Sequence, residues 1–182
     1  LEEEDRGEPT GKFSIGEKIV KVSIGDLEIG DIHPDLIALS SVLMCHPFVG
    51  KKLDFPLEIS DEFGKNINKV VSRYDFISTS NHVVEPRKAA RSFRMGLAFS
   101  GGVDSTAALS VLPADTVPVF MLRPGRKKSL YNPEAALESC NLLSEIGYDV
   151  RIVECDVEYL RNPVGFPTDL AHAIPAILLA DE

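Results

Sequence analysis

One short stretch of this chain combines glycines, hydroxyl groups and a carboxylate at a spacing that suits a bound phosphate. Residues 100–105 read Ser-Gly-Gly-Val-Asp-Ser, with a run of strand-forming residues before them and a helical pattern after them. Glycine allows backbone conformations that other residues avoid, and the N–H groups at a helix start attract anions. Hydroxyl groups add further donors. The predicted phosphate-binding residues are Ser100, Gly101, Gly102, Val103, Asp104, Ser105 and Thr106.

The carboxylate of Asp104 would repel a phosphate unless a cation lay between them. The sequence therefore predicts that Asp104 binds a divalent metal ion such as Mg2+. The stretch is not a Walker A loop, which needs a lysine that is missing here, and it is not a G-x-G-x-x-G dinucleotide fingerprint. It also lacks the first glycine of a nucleophile elbow. The alternative interpretation is a plain glycine turn, which would require neither the aspartate nor the two serines.

The loop belongs to a regular alternation of strands and helices that starts near Arg94. Such alternation demands a parallel sheet with right-handed crossovers, so we predict an α/β fold with a parallel, doubly wound sheet. Ligands bind to such sheets at the carboxyl ends of the strands, at a switch point in the strand order. The predicted strands are 95–99, 117–122 and 150–154, and the predicted helices are 103–112, 133–145 and a last one capped by Thr168 or Asp169 and running through Ala180.

Charged residues follow the second and third predicted strands at the same edge as the loop. Arg123, Arg126 and Lys127 leave the second strand, where they would neutralise a triphosphate or a phosphate-bearing substrate. Alternatively, they belong to a solvated surface loop. Asp156 follows the third strand and is a candidate metal ligand or general base, with a turn cap as the alternative.

The start of the last predicted helix carries two further candidates. Asp169 and His172 lie about one helical turn apart, so both could face the crevice. A helix cap and a surface histidine are the alternative. Cys155 is expected to be a buried packing residue rather than a nucleophile.

The first half of the chain carries no recognisable motif and is predicted to form a small α+β domain over residues 1–92. The second domain, residues 93–182, ends inside an apolar helical pattern without a cap, so we expect it to be incomplete and the chain to be a fragment. In the first half we predict a hairpin over 13–29 that turns at Gly25-Asp26, a helix over 35–44 preceded by Pro34, a short strand over 53–59 and a second helix capped by Ser60.

Composition narrows the class of protein. The chain has 182 residues, of which 44% are hydrophobic, and a formal net charge of −9, which argues against nucleic acid as the partner. Three cysteines without a C-x-x-C pair fit a reducing compartment. No apolar run of membrane-spanning length and no signal peptide pattern occur in the sequence. We therefore expect a cytoplasmic protein that acts on a small molecule, with neither a membrane nor a nucleic acid as partner.

The phosphate loop resembles the S-G-G-x-D-S loop of the PP-loop ATP pyrophosphatases. All five fixed positions of that motif match, namely Ser100, Gly101, Gly102, Asp104 and Ser105. The resemblance implies a nucleotide-binding domain that uses ATP and Mg2+ and cleaves ATP to AMP and pyrophosphate. It also implies that adenine meets backbone groups at the end of the second strand, here Phe120 to Leu122.

A wider set of stretches resembles the muropeptide epimerase family. These stretches are residues 99–109, 130–131, 153–159 and 163–169. The resemblance implies that the terminal L-glutamate of UDP-N-acetylmuramoyl-L-alanyl-L-glutamate is inverted through an acyl-adenylate, for peptidoglycan synthesis. A base and an acid are then needed on opposite faces of the α carbon, and the candidates for them are Asp156, Asp169 and His172. Asp104 is a further catalytic candidate through the metal ion that it is predicted to bind.

Two other functions are compatible with the same loop. One is a different PP-loop reaction, either ATP-dependent amidation or modification of a tRNA base. The negative charge and the missing C-x-x-C pair argue against the tRNA version only. The other is a module that binds ATP without catalysis, against which the intact Asp104 argues.

Overall fold

The computed structural model describes residues 14–16, 19–78, 84–88, 93–125 and 132–182. Among these residues the strands are β1 (Ser14–Ile15), β2 (Val22–Ser23), β3 (Lys52–Phe55), β4 (Asp75–Ser78), β5 (Gly96–Phe99), β6 (Val117–Leu122), β7 (Arg151–Cys155) and β8 (Arg161–Asn162). The α-helices are α1 (Pro34–Cys45), α2 (Asp61–Val70), α3 (Val103–Val111), α4 (Glu134–Glu145) and α5 (Ile174–Leu178). Short 3-10 helices cover Ile29–Asp31, Val157–Leu160 and Ala171–Ala173.

The central sheet is mixed but mostly parallel, and it has the strand order β2-β7-β6-β5. β5, β6 and β7 run parallel, with Phe99 opposite Phe120 and Leu122 opposite Glu154. The fold is therefore of the α/β class and is compatible with a Rossmann-like arrangement. The predicted parallel sheet is confirmed for these three strands, and it carries one antiparallel strand at its edge, where the short β2 pairs with β7. Within the described residues the parallel strands follow one another in consecutive order, so no switch point occurs there.

Helices cover both faces of this sheet. On one face, α4 packs through the fully buried Cys140 against Phe99 and Phe120. On the other face, Ile174 of α5 packs against Cys155, together with side chains from α1. Burying both faces between helices is what confers a stable core on parallel strands.

The first half contains its own apolar cluster. It is built from α1, α2 and the parallel pair of β3 and β4, with Val42, Phe55, Ile67 and Phe76 among its buried residues. The predicted helices are confirmed here: Pro34 opens α1, and the Ser60 hydroxyl accepts a hydrogen bond from the Phe63 N–H to cap α2. β4 was not predicted from the sequence.

The predicted hairpin over residues 13–29 is wrong, although the turn at Gly25-Asp26 is present. β1 instead pairs antiparallel with β8, and β2 pairs with β7. Two-residue strands carry too little hydrophobic pattern to specify a partner, so the rest of the fold decides where they pair. The domain boundary between residues 92 and 93 remains a prediction, and both pairings cross it.

The last helix also differs from the prediction. The chain forms a 3-10 turn at Ala171–Ala173 before α5 begins at Ile174, so neither Thr168 nor Asp169 is its cap. Pro175 has no N–H and is tolerated only in the first turn of an α-helix, which explains the late start. None of the helices in the described ranges is long and apolar enough to cross a membrane.

Candidate functional site

The phosphate loop lies where the sequence predicts, between the end of β5 at Phe99 and the start of α3 at Val103. Gly101 has a φ of +75°, a conformation that side chains rarely adopt. A Cβ atom on Gly101 would also lie 2.8 Å from both the Cα and the Cβ of Ala136 on α4. Glycine is therefore required at this position for two independent reasons.

The hydroxyl groups of the loop are bonded to the loop itself. The hydroxyls of Ser105 and Thr106 donate to the Gly102 carbonyl oxygen at 3.0 and 2.9 Å. Because the one proton of Ser105 is used there, the Ser100 hydroxyl must donate in the 3.1 Å bond between the two serine oxygens. The Ser105 oxygen also accepts from the Ser100 N–H at 3.3 Å. The hydroxyls thus shape the loop, and they would reach a phosphate only by exchanging these bonds.

Backbone N–H groups are the donors that the loop offers to an anion. The first intrahelical bond of α3 runs from the Thr106 N–H to the Gly102 carbonyl, so the N–H groups of Val103, Asp104 and Ser105 precede the helical ladder. An open cavity of about 430 Å³ adjoins this helix start. It is lined by Gly101, Gly102, Val103, Thr106, Ala107 and Ser110.

Asp104 lies in the first turn of α3 and is exposed. Among the described residues, no group of three His, Cys, Asp or Glu side chains could hold a metal ion. Mg2+ is typically bound by one or two carboxylates together with substrate phosphates rather than by a cage of protein ligands. A single exposed carboxylate beside the N–H groups of a helix start fits that mode of binding.

β6 ends beside an ion pair that the sequence did not predict. Arg123 forms a salt bridge with Glu158, whose side chain is only 7% exposed. The neighbouring Tyr159 hydroxyl donates to the Pro124 carbonyl at 3.1 Å. These two contacts join the loop after β6 to the 3-10 helix after β7. Arg123 is therefore already partly neutralised, and its predicted contact with a phosphate remains a prediction.

The two residues predicted to lie near adenine differ in their surroundings. The Phe120 side chain is buried under α4 and its backbone lies opposite Phe99 and Ile152 in the ladders. Leu122 lies two residues beyond Phe120, the last residue of β6 that pairs with β5, so β5 provides no ladder partner for its backbone. Backbone contact with a ligand is thus easier at Leu122 than at Phe120.

Asp156 is buried at the carboxyl end of β7 and has a structural partner. Its carboxylate accepts a hydrogen bond from the Lys21 N–H at 2.6 Å, and its own N–H donates to the Lys21 carbonyl. These bonds extend the pairing of β2 with β7 by one residue. The geometry favours the capping interpretation of Asp156 over a role in catalysis.

The remaining candidates lie on the chain after β7. Asp169 and His172 are both exposed, and the His172 ring packs edge-on against Phe166 at 5.6 Å between centroids. Cys155 is buried as expected, and burial raises the pKa of its thiol to about 11, so it is a packing residue. Arg126 and Lys127 lie outside the described residues.

Sequence reasoning missed two residues of this region. Ala136 touches the phosphate loop, but an alanine in a helix carries no chemical signal. Glu158 pairs with Arg123 from 35 residues away. Its position three residues after the end of β7 was the available hint, because the predicted basic loop leaves the same edge of the sheet.

A larger cavity, of about 580 Å³, lies at the opposite edge of the sheet, beside the start of β7. It is lined by the turn after β2, by Asp31, by residues 150–153 and by Leu179 and Glu182, and by none of the predicted site residues. Ligands of open α/β sheets bind at the carboxyl ends of the strands, and the convergent N–H groups also lie there. We therefore assign the candidate site to the loop rather than to the larger cavity.

No protein-family model matches this chain, and neither a curated protein nor a solved structure matches it.

Proposed function

We propose that this protein binds Mg2+-ATP at residues 100–106 and cleaves it between the α and β phosphates, transferring AMP to a small-molecule substrate. The observation that carries the proposal is the loop geometry. Gly101 at φ +75° and Gly102 as the N-cap leave the first N–H groups of α3 beside the exposed carboxylate of Asp104. This combination of donors and one carboxylate suits a pyrophosphate group with its cation.

The proposed first step forms one bond and breaks another at the α phosphorus. A carboxylate oxygen of the substrate attacks the α phosphorus, the bond to the bridging oxygen of the β phosphate breaks, and pyrophosphate leaves. In this proposal the N–H groups of Val103, Asp104 and Ser105 stabilise the charge that develops on the leaving group. Mg2+, which Asp104 would help to hold, supplies further neutralisation of the phosphate oxygens.

The finer proposal is that the adenylated group is the terminal L-glutamate of UDP-N-acetylmuramoyl-L-alanyl-L-glutamate, and that its α carbon is then inverted. A free carboxylate resists loss of the α proton because a second negative charge would build up beside the first. The mixed anhydride with AMP removes that charge, so a modest base can take the proton. Return of a proton from the other face, followed by hydrolysis, yields the D-glutamyl product and AMP.

The class of reaction is tested by the nucleotide products. The protein, Mg2+, ATP and candidate carboxylic acids are incubated together, and nucleotides are separated by chromatography. We expect AMP and pyrophosphate in equal amounts. Asp104→Asn should lower the rate by about a hundredfold, whereas Asp115→Asn, an exposed carboxylate beyond the other end of α3, should not. ADP as the product would reject the proposal, and nucleotide binding without turnover would favour a non-catalytic module.

The finer proposal is tested by isotope exchange at the glutamate α carbon. Turnover of the muropeptide in deuterated water should place one deuterium at that carbon, and the exchange should require both ATP and Mg2+. AMP formation with a carboxylic acid but without deuterium uptake would leave adenylation standing and reject epimerisation. Transfer of the activated group to ammonia would identify amidation instead.

A further inference from the structure

The phosphate loop rests directly on the first turn of α4. Ala136 is the third residue of that helix, and both its Cα and its Cβ lie 2.8 Å from the position a Gly101 Cβ would occupy. Contacts this short leave no room for a larger group between the loop and the helix. The backbone of Gly101 and the methyl group of Ala136 are therefore packed against each other.

The helix cannot move away from the loop, because it is fixed to the sheet. Cys140 of α4 is fully buried against Phe99 and Phe120, and Leu137 packs against the same cluster. The side-chain oxygen of Asn132 accepts from the Glu134 N–H at 2.8 Å, a local bond that shapes the start of the helix. A larger side chain at position 136 would thus displace the loop rather than the helix.

We propose that Ala136 is a positioning residue for the phosphate loop. Its methyl group supports Gly101 in the φ +75° conformation, which in turn directs the chain into Gly102 and the first N–H groups of α3. A displaced Gly101 would shift the Gly102 carbonyl, which accepts from the Thr106 N–H and from the Ser105 and Thr106 hydroxyls. This inference rests on the proposed function, since the loop is what would bind ATP.

The test compares the same substitution at two neighbouring positions of α4. Ala136→Leu should raise KM for Mg2+-ATP at least tenfold, because it displaces the loop that would bind the nucleotide. The fall in kcat should be smaller. Ala135→Leu is the matched control, because Ala135 is exposed on the same turn, and it should change KM less than twofold. Ala136→Ser, which adds one atom, should retain most of the affinity. If Ala136→Leu does not fold, as judged by circular dichroism, Ala136→Val replaces it in the comparison.

Hydrogen exchange distinguishes a failure of this inference from a failure of the proposed function. Without nucleotide, the Thr106 amide should exchange about tenfold faster in Ala136→Leu than in the wild-type chain or in Ala135→Leu. That result together with no ATP binding by the wild-type chain would sustain the positioning role and reject the proposed function. Unchanged Thr106 exchange and unchanged KM in Ala136→Leu would overturn the inference whatever the wild-type activity.

Discussion

At the scale of single residues, Ser105 holds the phosphate loop together. Its oxygen accepts from the N–H and the hydroxyl of Ser100, and its own proton goes to the Gly102 carbonyl. A motif serine is easily regarded as a ligand for phosphate, but here its three bonds join both ends of the loop. The same residue type near the end of α4, Ser144, bonds to the Cys140 carbonyl within its own helix.

This difference predicts unequal effects of the serine-to-alanine substitutions at residues 105 and 144. Ser105→Ala should weaken Mg2+-ATP binding by about 1–3 kcal/mol, because it leaves loop donors and acceptors without their partners. Ser144→Ala should change the affinity by less than about 0.5 kcal/mol. Isothermal titration calorimetry measures both. If Ser105→Ala weakened binding no more than the control substitution does, the hydroxyl network of the loop would have no part in binding.

Arg123 has a structural partner as well as a predicted ligand. Arg123→Ala removes the cation from a buried carboxylate on Glu158, so it should lower the free energy of unfolding by about 3 kcal/mol. Adding Glu158→Gln should recover much of that loss. Urea unfolding of the two variants provides the comparison.

The recovered double variant then isolates the predicted role of Arg123 in binding. If Arg123 also contacts a phosphate, Mg2+-ATP binding in the double variant should remain weaker by about 1.5–3 kcal/mol. If the double variant binds Mg2+-ATP with wild-type affinity, the role of Arg123 is structural only. Unchanged stability of Arg123→Ala, in contrast, would return it to the solvated-loop interpretation.

At the scale of elements, one buried carboxylate joins the starts of two helices in the first half. Asp35 lies in the first turn of α1, and its two oxygens accept from the N–H and the hydroxyl of Ser60 at 2.8 and 2.6 Å. The Ser60 oxygen in turn accepts from the Phe63 N–H and so caps α2. Each helix start carries a partial positive charge, and the carboxylate stabilises both.

This arrangement predicts an unusually large effect for the loss of a helix cap. Ser60→Ala removes the α2 cap and one donor to buried Asp35, so it should lower the free energy of unfolding by about 2 kcal/mol. Ser41→Ala, whose hydroxyl bonds within α1 to the Ile37 carbonyl, is the control and should cost under about 0.5 kcal/mol. Chemical denaturation provides the values. A cost for Ser60→Ala no larger than that of the control would contradict the role of the shared carboxylate.

At the scale of the whole molecule, the two halves of the sequence are built into each other. β1 and β2 come from the first half and pair with β8 and β7 of the second. Leu43 and Met44 of α1 pack into the cluster formed by Cys155, Val157, Ala171 and Ile174. A core shared in this way favours one cooperative unfolding unit over two independent domains.

The shared core predicts that a substitution in α5 destabilises the first half too. Ile174 is fully buried, and Ile174→Ala should lower the free energy of unfolding by about 2–4 kcal/mol. Leu170→Ala, at a residue 62% exposed, should have little effect. Hydrogen exchange at increasing urea concentrations, read by mass spectrometry, reports each half separately. If the two halves unfold in separate transitions, and Ile174→Ala shifts only the transition of residues 93–182, the result would support the predicted boundary between residues 92 and 93.

The sequence by itself determined the features that depend on neighbouring residues. The glycine loop between β5 and α3, the cap at Ser60, the start of α1 at Pro34 and the alternation of β5 to β7 with α3 and α4 were all predicted from local patterns. Glycine conformation, hydroxyl caps and hydrophobic periodicity act over a few residues, so the sequence displays them directly.

Only the tertiary structure decided the contacts between distant residues. The backbone N–H of Lys21 donates to the Asp156 carboxylate across 135 residues, and Ala136 of α4 packs against Gly101. These contacts changed the interpretation of Asp156, of Arg123 and of the loop itself. The physical reason is that the packing of the whole chain decides which partner a backbone N–H, a methyl group or a buried carboxylate contacts. Two-residue strands are also too short for their hydrophobic pattern to predict a pairing partner.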